Sequence, residues 1–176
     1  MTDLLAQRIS AVLRDVPDFP KPGILFKDIA PLLGDPLLLR ECIHAMAVTF
    51  AGERITHVVG IESRGFLFGV PVALELGVSF VPARKPGKLP WNCVSEAFTL
   101  EYGTDALEVQ ADAFAADSRV LIVDDILATG GTVAAACRLC KKLGANVAGV
   151  SVLADIGGLR DERLLEFRPV HSLVTF

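Results

Sequence analysis

Apolar positions first recur along this chain at helical spacing. Leu5, Ile9, Val12, Leu13 and Val16 form one stripe within residues 3–16, which predicts an opening amphipathic helix. Pro17, Pro20, Pro22 and Gly23 then break the pattern into a loop. A short apolar segment, 24–33, follows. Asp35-Pro36 has the chemistry of a helix start, so a second helix is expected to run from there to near Gly52. From residue 57 the pattern alternates between element types. HVVGIE (57–62) reads as a buried strand, 65–76 as an apolar helix closed by Gly77, and VSFVPA (78–83) as another strand. Pro71 removes a backbone donor inside the helical stretch, so that helix is expected to kink or start late. Residues 84–96 are polar, rich in Pro and Gly, and irregular. AFTLE (97–101) and LEVQ (107–110) predict a hairpin turning at Gly103-Thr104-Asp105. VLIV (120–123) reads as a fully buried strand, 132–143 as a helix, and 147–153 and 171–175 as the last two strands.

Strands alternating with helices, and strands that are apolar almost throughout, imply an α/β fold: a mainly parallel twisted sheet flanked by helices. Ligands of such sheets lie beyond the carboxyl ends of the strands. The 176 residues fit one domain, 1–176, large enough to need no disulfide or metal staple. With 52% apolar and 22% charged residues, general disorder is excluded. Seventeen Lys and Arg against 21 Asp and Glu give a net charge of −4, which lacks the broad basic field of a nucleic-acid or membrane-surface binder. Anions must therefore be held locally. No apolar run is long enough to span a membrane, and MTDLLAQRIS has no basic leader region, so the cytoplasm with reduced thiols is the expected setting. Cys137 and Cys140 share a helix face with Val133, which makes them core residues rather than a redox or zinc pair. His44, His57 and His171 are scattered and form no metal-binding spacing.

The most informative stretch is VLIVDDILATGGT, 120–132. A buried strand delivers Asp124 and Asp125 to its carboxyl end. Ala128, Thr129, Gly130, Gly131 and Thr132 then turn tightly into a helix. Converging backbone N–H groups, threonine hydroxyls and a helix N-terminus make a cradle for one phosphate. Two carboxylates repel phosphate but accept hydrogen bonds from a diol. Together they describe a site for ribose 5-phosphate. The other nucleotide motifs fail: no G-x-G-x-x-G occurs, and Gly60-x4-Gly65 is followed by Phe66 rather than Lys.

This stretch closely resembles the phosphoribosyl-pyrophosphate (PRPP) motif of type I phosphoribosyltransferases, and its Ala-Thr-Gly-Gly-Thr form resembles the adenine-using members. Further segments resemble the same family in order, over nearly the whole chain. FPKPGILFKDIAPLL (19–33) is similar to a base-binding hood that spans about residues 1–35, and GIESRGFLFG (60–69) to a pyrophosphate loop. RKPGKLP (84–90) through LEYG (100–103) resembles a mobile catalytic loop, about 84–101, and DIGG (155–158) a wall of the base pocket. The resemblance implies that Asp124 and Asp125 hold the ribose hydroxyls while the 128–132 turn holds the 5-phosphate. Glu62, Ser63 and Arg64 would face the diphosphate, Arg64 as a bidentate clamp. Arg84, Lys85 and Lys88 would stabilise the departing diphosphate, Arg84 and Lys85 partly across a homodimer interface. Alone, those three cations fit a solvated basic loop as well. Glu101 is the implied proton-handling residue, with Arg64 and Lys85 the other catalytic candidates and Tyr102 packing on the closed site. Phe26 and Ile156 would stack on adenine, and the backbone at Lys27 would read its edge. Mg2+ is the implied cofactor, held through the substrate diphosphate rather than by a direct protein ligand.

The expected activity is transfer of the phosphoribosyl group from PRPP to adenine, giving AMP and pyrophosphate in purine salvage, with small-molecule substrates and no nucleic acid or membrane partner. A relative acting on another base, and a PRPP-binding regulator without turnover, are the alternatives. Trp91-Asn92-Cys93 and Phe98 depart from the family pattern, where smaller or more polar residues and a tyrosine are usual.

Overall fold

A computed structural model describes residues 2–100, 103–159 and 169–176. Its centre is a five-stranded parallel sheet, built from β3 (His57–Ile61), β4 (Ser79–Ala83), β7 (Arg119–Leu127), β8 (Asn146–Asp155) and β9 (Val170–Thr175) in the order β4-β3-β7-β8-β9. Adjacent residues of each strand face opposite sides, so an apolar run feeds two cores at once. Val59, Ile122 and Val152 pack with Val133, Cys137 and Cys140 of α5 (Gly131–Lys142) on one face. Val58, Leu121 and Leu153 pack on the other face with α1 (Thr2–Val12), α3 (Pro36–Val48) and α4 (Gly65–Leu76). Burial pushes the thiols of Cys42 and Cys140 up to about 12 and that of Cys137 higher still, as suits core cysteines.

Several elements differ from the pattern-based expectation. The opening helix ends at Val12 because Arg14–Pro17 forms β1, paired antiparallel with β2 (Leu25–Asp28). Val16 thus belongs to a small hairpin rather than to the helical stripe. After the short α2 (Ala30–Leu33), Asp35 caps α3 by accepting hydrogen bonds from the N–H groups of Leu37 (3.1 Å) and Leu38 (3.0 Å). This helix stops at Val48, before Gly52. Helix α4 neither starts late nor breaks at Pro71. The carbonyl that Pro71 leaves without a partner is that of Leu67, on a helix face where Leu67 is 47% exposed, so water can satisfy it.

The largest correction concerns 84–96, expected to be irregular throughout. Residues Cys93–Leu100 are a strand, β5, paired antiparallel with β6 (Gly103–Gln110). The register pairs Leu100 with Gly103 and Phe98 with Asp105, so Gly103-Thr104-Asp105 belongs to β6 rather than to a turn. Phe98 is buried with Leu107 and Val109 against the α5 face of the sheet, whereas Trp91 is exposed at φ 70°. The strand was hard to see in the sequence because its inward position 96 carries Glu, ion-paired to Arg138 and Lys142 of α5, where an apolar residue would show the alternation.

Candidate active site

Strands β3 and β7 lie side by side, and their carboxyl ends build the site. Pairing between them stops at Gly60↔Val123, while β7 continues along β8 to Leu127↔Asp155. The expected strand 120–123 is therefore longer, and Asp124 and Asp125 sit inside it, projecting past the end of β3. Beyond Leu127 the chain turns through Gly130, at φ 90°, into the N-terminus of α5. Asp124, Leu127, Ala128, Thr129, Gly130 and Thr132 line a cavity of about 90 Å³ there. Clefts that enclose a whole small molecule run to several hundred Å³, so this recess suits one end of a ligand, at a helix N-terminus that favours an anion.

The two acids behave differently from surface carboxylates. Burial raises the pKa of Asp124 well above the usual range, and the neighbouring Asp125 charge adds to the rise. Burial also raises Asp125, opposed by the charge of Arg64. Asp124 Oδ1 accepts a hydrogen bond from the N–H of Asp125 at 2.9 Å. Arg64 Nε lies 2.7 Å from Asp125 Oδ2, a close ion pair without hydrogen-bond alignment. The same guanidinium covers the ring of Phe26 at 4.8 Å, so Asp125, Arg64 and Phe26 form one connected series from β7 to the hairpin.

Glu62, Ser63 and Arg64 form the turn after β3, with a cis peptide between Glu62 and Ser63. Gly65 brings this turn onto β7. A Cβ there would lie 2.9 Å from both Asp124 Oδ1 and the Val123 carbonyl oxygen. Glu62 points to the basic segment. Its carboxylate accepts from Arg84 Nε (3.2 Å) and Nη2 (3.1 Å) and from the Lys85 N–H (2.8 Å). Those hydrogen bonds, Arg84 first, hold the Glu62 carboxyl below its ordinary pKa. Lys85 Nζ meets Asp105 at 2.9 Å and depresses that carboxyl in turn. Arg84 also bridges to Glu108 through the backbone and donates to the Lys88 carbonyl at 2.9 Å, while Lys88 is exposed. Glu62, Asp105 and Glu108 thus hold the basic segment in place, and the β6 acids are the part that the sequence did not reveal, because Asp105 looks like an ordinary turn residue.

Ile156 donates its N–H to the Leu127 carbonyl at 2.8 Å, beside the end of β7. Phe26 packs edge-on against Phe19 at 5.1 Å. Lys27 Nζ meets Asp15 at 2.5 Å and the ring of Phe176 at 3.8 Å. Glu101 and Tyr102 lie outside the described residues. Among the described residues no cluster of His, Cys, Asp and Glu could by itself hold a metal ion.

Residues 32–166 match the model of the phosphoribosyl transferase domain family. The adenine phosphoribosyltransferase of Anaeromyxobacter dehalogenans strain 2CP-C is 53% identical over 168 residues, 96% of this chain and 98% of that protein. That of Methylococcus capsulatus is 53% identical over 169 residues, 96% and 99% of the two chains. Among solved structures, adenine phosphoribosyltransferase from Thermoanaerobacter pseudethanolicus superposes with a TM-score of 0.94 at 44% identity, over 97% of this chain and 99% of the other. The Saccharomyces cerevisiae enzyme, solved with an imino-altritol bisphosphate and adenine, gives 0.91 at 42% identity, over 97% and 99%.

Proposed function

The chain belongs to the phosphoribosyltransferase family, and from that premise we propose that it transfers the 5-phosphoribosyl group of PRPP to N9 of adenine, releasing AMP and pyrophosphate. The observation that carries the reading is Asp124 lining the small cavity before α5, with Asp125 next to it in β7 and paired to Arg64. The 128–132 turn and the α5 N-terminus take the 5-phosphate, and the two carboxylates accept from the ribose hydroxyls. Their negative charge also stabilises the positive character that the sugar develops as the diphosphate leaves.

Arg64 exchanges Asp125 for diphosphate oxygens, and Arg84, Lys85 and Lys88 add charge from the segment that Glu62 holds. Ser63 supplies backbone donors from the same turn. Adenine stacks between Phe26 and Ile156, its edge read by the backbone at Lys27, and Glu101 handles the proton at the purine with Tyr102 packed alongside. The acid pair fits a magnesium ion carried on the diphosphate, since Mg2+ keeps most of its waters and takes few carboxylates. When bound in that way it neutralises charge on the leaving group.

The protein acts as a homodimer in the cytoplasm, in purine salvage. No helix among the described residues is long and apolar enough to cross a membrane. Leu67, Val70 and Leu74, 47%, 40% and 77% exposed, lie at helical spacing on the outer face of α4 and supply an apolar surface for a second copy.

The test is AMP formation from adenine, PRPP and Mg2+, with hypoxanthine, guanine, xanthine and orotate as competitors. Turnover with adenine alone is the expected result. Preference for another base rejects the substrate, and PRPP binding without any product rejects the enzyme.

A further inference from the structure

The N-terminal hairpin meets the body of the molecule through two cation-on-ring contacts that run in opposite senses. Arg64 of the body covers Phe26 of β2. Lys27, the next residue of β2, places its Nζ 3.8 Å from the ring centroid of Phe176, the residue after β9. Neighbouring residues of a strand point to opposite sides, so the hairpin offers one side to the 62–65 turn and the other to the end of β9. The Lys27 side chain is only 12% exposed and its ammonium is also fixed by Asp15 of β1. Partial removal from water strengthens an ammonium–ring contact.

Phe176 also holds the opposite wall through its backbone. Its N–H donates to the Asp155 carbonyl at 2.9 Å, and its carbonyl accepts from the Gly157 N–H at 2.8 Å. A Cβ at 157 would stand 2.9 Å from that oxygen, so the pairing requires glycine there. Ile156 lies between those two tethered residues. One residue therefore touches both sides of the base site, the hairpin by its ring and the 155–157 segment by its main chain.

We propose that Phe176 is a positioning residue for the base: the Lys27–Phe176 contact sets the hairpin over Ile156 and thereby the affinity for adenine. The inference rests on the reading that adenine lies between Phe26 and Ile156. The contact of Arg64 with Phe26 cannot be the standing tie, because Arg64 is shared with Asp125 and is drawn on by the diphosphate. The Lys27–Phe176 contact uses no group of the PRPP site, so it persists through turnover.

The test is steady-state kinetics on the full chain, with adenine and PRPP varied separately, for wild type, Phe176→Leu, Phe176→Tyr, Lys27→Met and the double variant Phe176→Leu/Lys27→Met. Loss of the ring face or of the charge raises the KM for adenine about fivefold, and Phe176→Leu leaves the KM for PRPP and kcat within about twofold of wild type. Phe176→Tyr, which keeps the ring, retains the wild-type value. The double variant is no worse than the poorer single, as expected of two ends of one contact. An unmoved KM for adenine, or equal rises in both KM values with a lowered Tm, overturns the positioning role. If wild type makes no AMP from adenine at all, the functional reading fails and this inference fails with it.

Discussion

At the scale of single residues, the site is an arrangement that folding alone would not select. Asp124 sits where burial and the Asp125 charge oppose its ionisation. An acid whose pKa is raised on folding ionises more readily in the unfolded chain, so its charge costs stability at every pH above the ordinary carboxyl range. Asp124→Asn removes that charge while keeping the shape of the side chain. The variant should gain a few degrees in Tm at pH 7, worth about 1 kcal/mol, while PRPP affinity collapses. The gain disappears as pH falls below the ordinary carboxyl pKa, because wild-type Asp124 is then neutral in both states. Thermal melts at pH 7 and pH 3 with PRPP titration at pH 7 check this, and a stability loss at pH 7 would contradict it. Asp125 differs because Arg64 offsets part of its cost. That ion pair was invisible in the sequence, since residues 64 and 125 meet only through a close approach that Gly65 permits. The acids themselves, the cradle and the helix start were legible because they are contiguous in VLIVDDILATGGT.

At the scale of elements, what was legible depended on whether one strand or helix carried its own pattern. The parallel strands did, because both of their faces are apolar. The hairpins did not. Strand β1 is four residues long and partly polar, and β5 hides its period behind the inward Glu96. Glu96 is held by Lys142 and Arg138, in that order of effect, and those bonds keep its carboxyl below the ordinary range. The side chain is 13% exposed, so its environment is mostly protein and only moderately screened. A depressed carboxyl contributes stability above its unfolded pKa and loses it as pH falls toward the folded value. Glu96→Gln should therefore cost about 1 kcal/mol at neutral pH, less in high salt, and nothing once wild type is protonated. Its more telling effect is on the hairpin, whose amides exchange with solvent faster when the tie to α5 is cut. Hydrogen exchange followed across β5 and β6 measures this. Unchanged protection there would mean that Phe98, Leu107 and Val109 hold the hairpin without help.

At the scale of the whole molecule, two cores share one sheet. Among the described residues the outer face of α4 leaves an apolar stripe in water: Leu74 is 77% exposed and lies with Leu67 and Val70. A stripe of that kind stays in water only at some cost, which a second copy would remove by covering it. Helix α4 begins at Gly65, directly after the Arg64 turn, so covering the helix also steadies the turn that reaches Asp125. If the basic segment of one copy serves its neighbour's site, breaking the contact disables both sites at once. Leu74→Glu places a charge in that stripe without touching the acids, the cradle or the base walls. The expected result is a monomer by sedimentation, with the fold intact by circular dichroism and kcat/KM for PRPP reduced at least about tenfold. A monomeric variant of full activity would show that each copy carries a complete site. A variant that stays dimeric would move the interface away from α4.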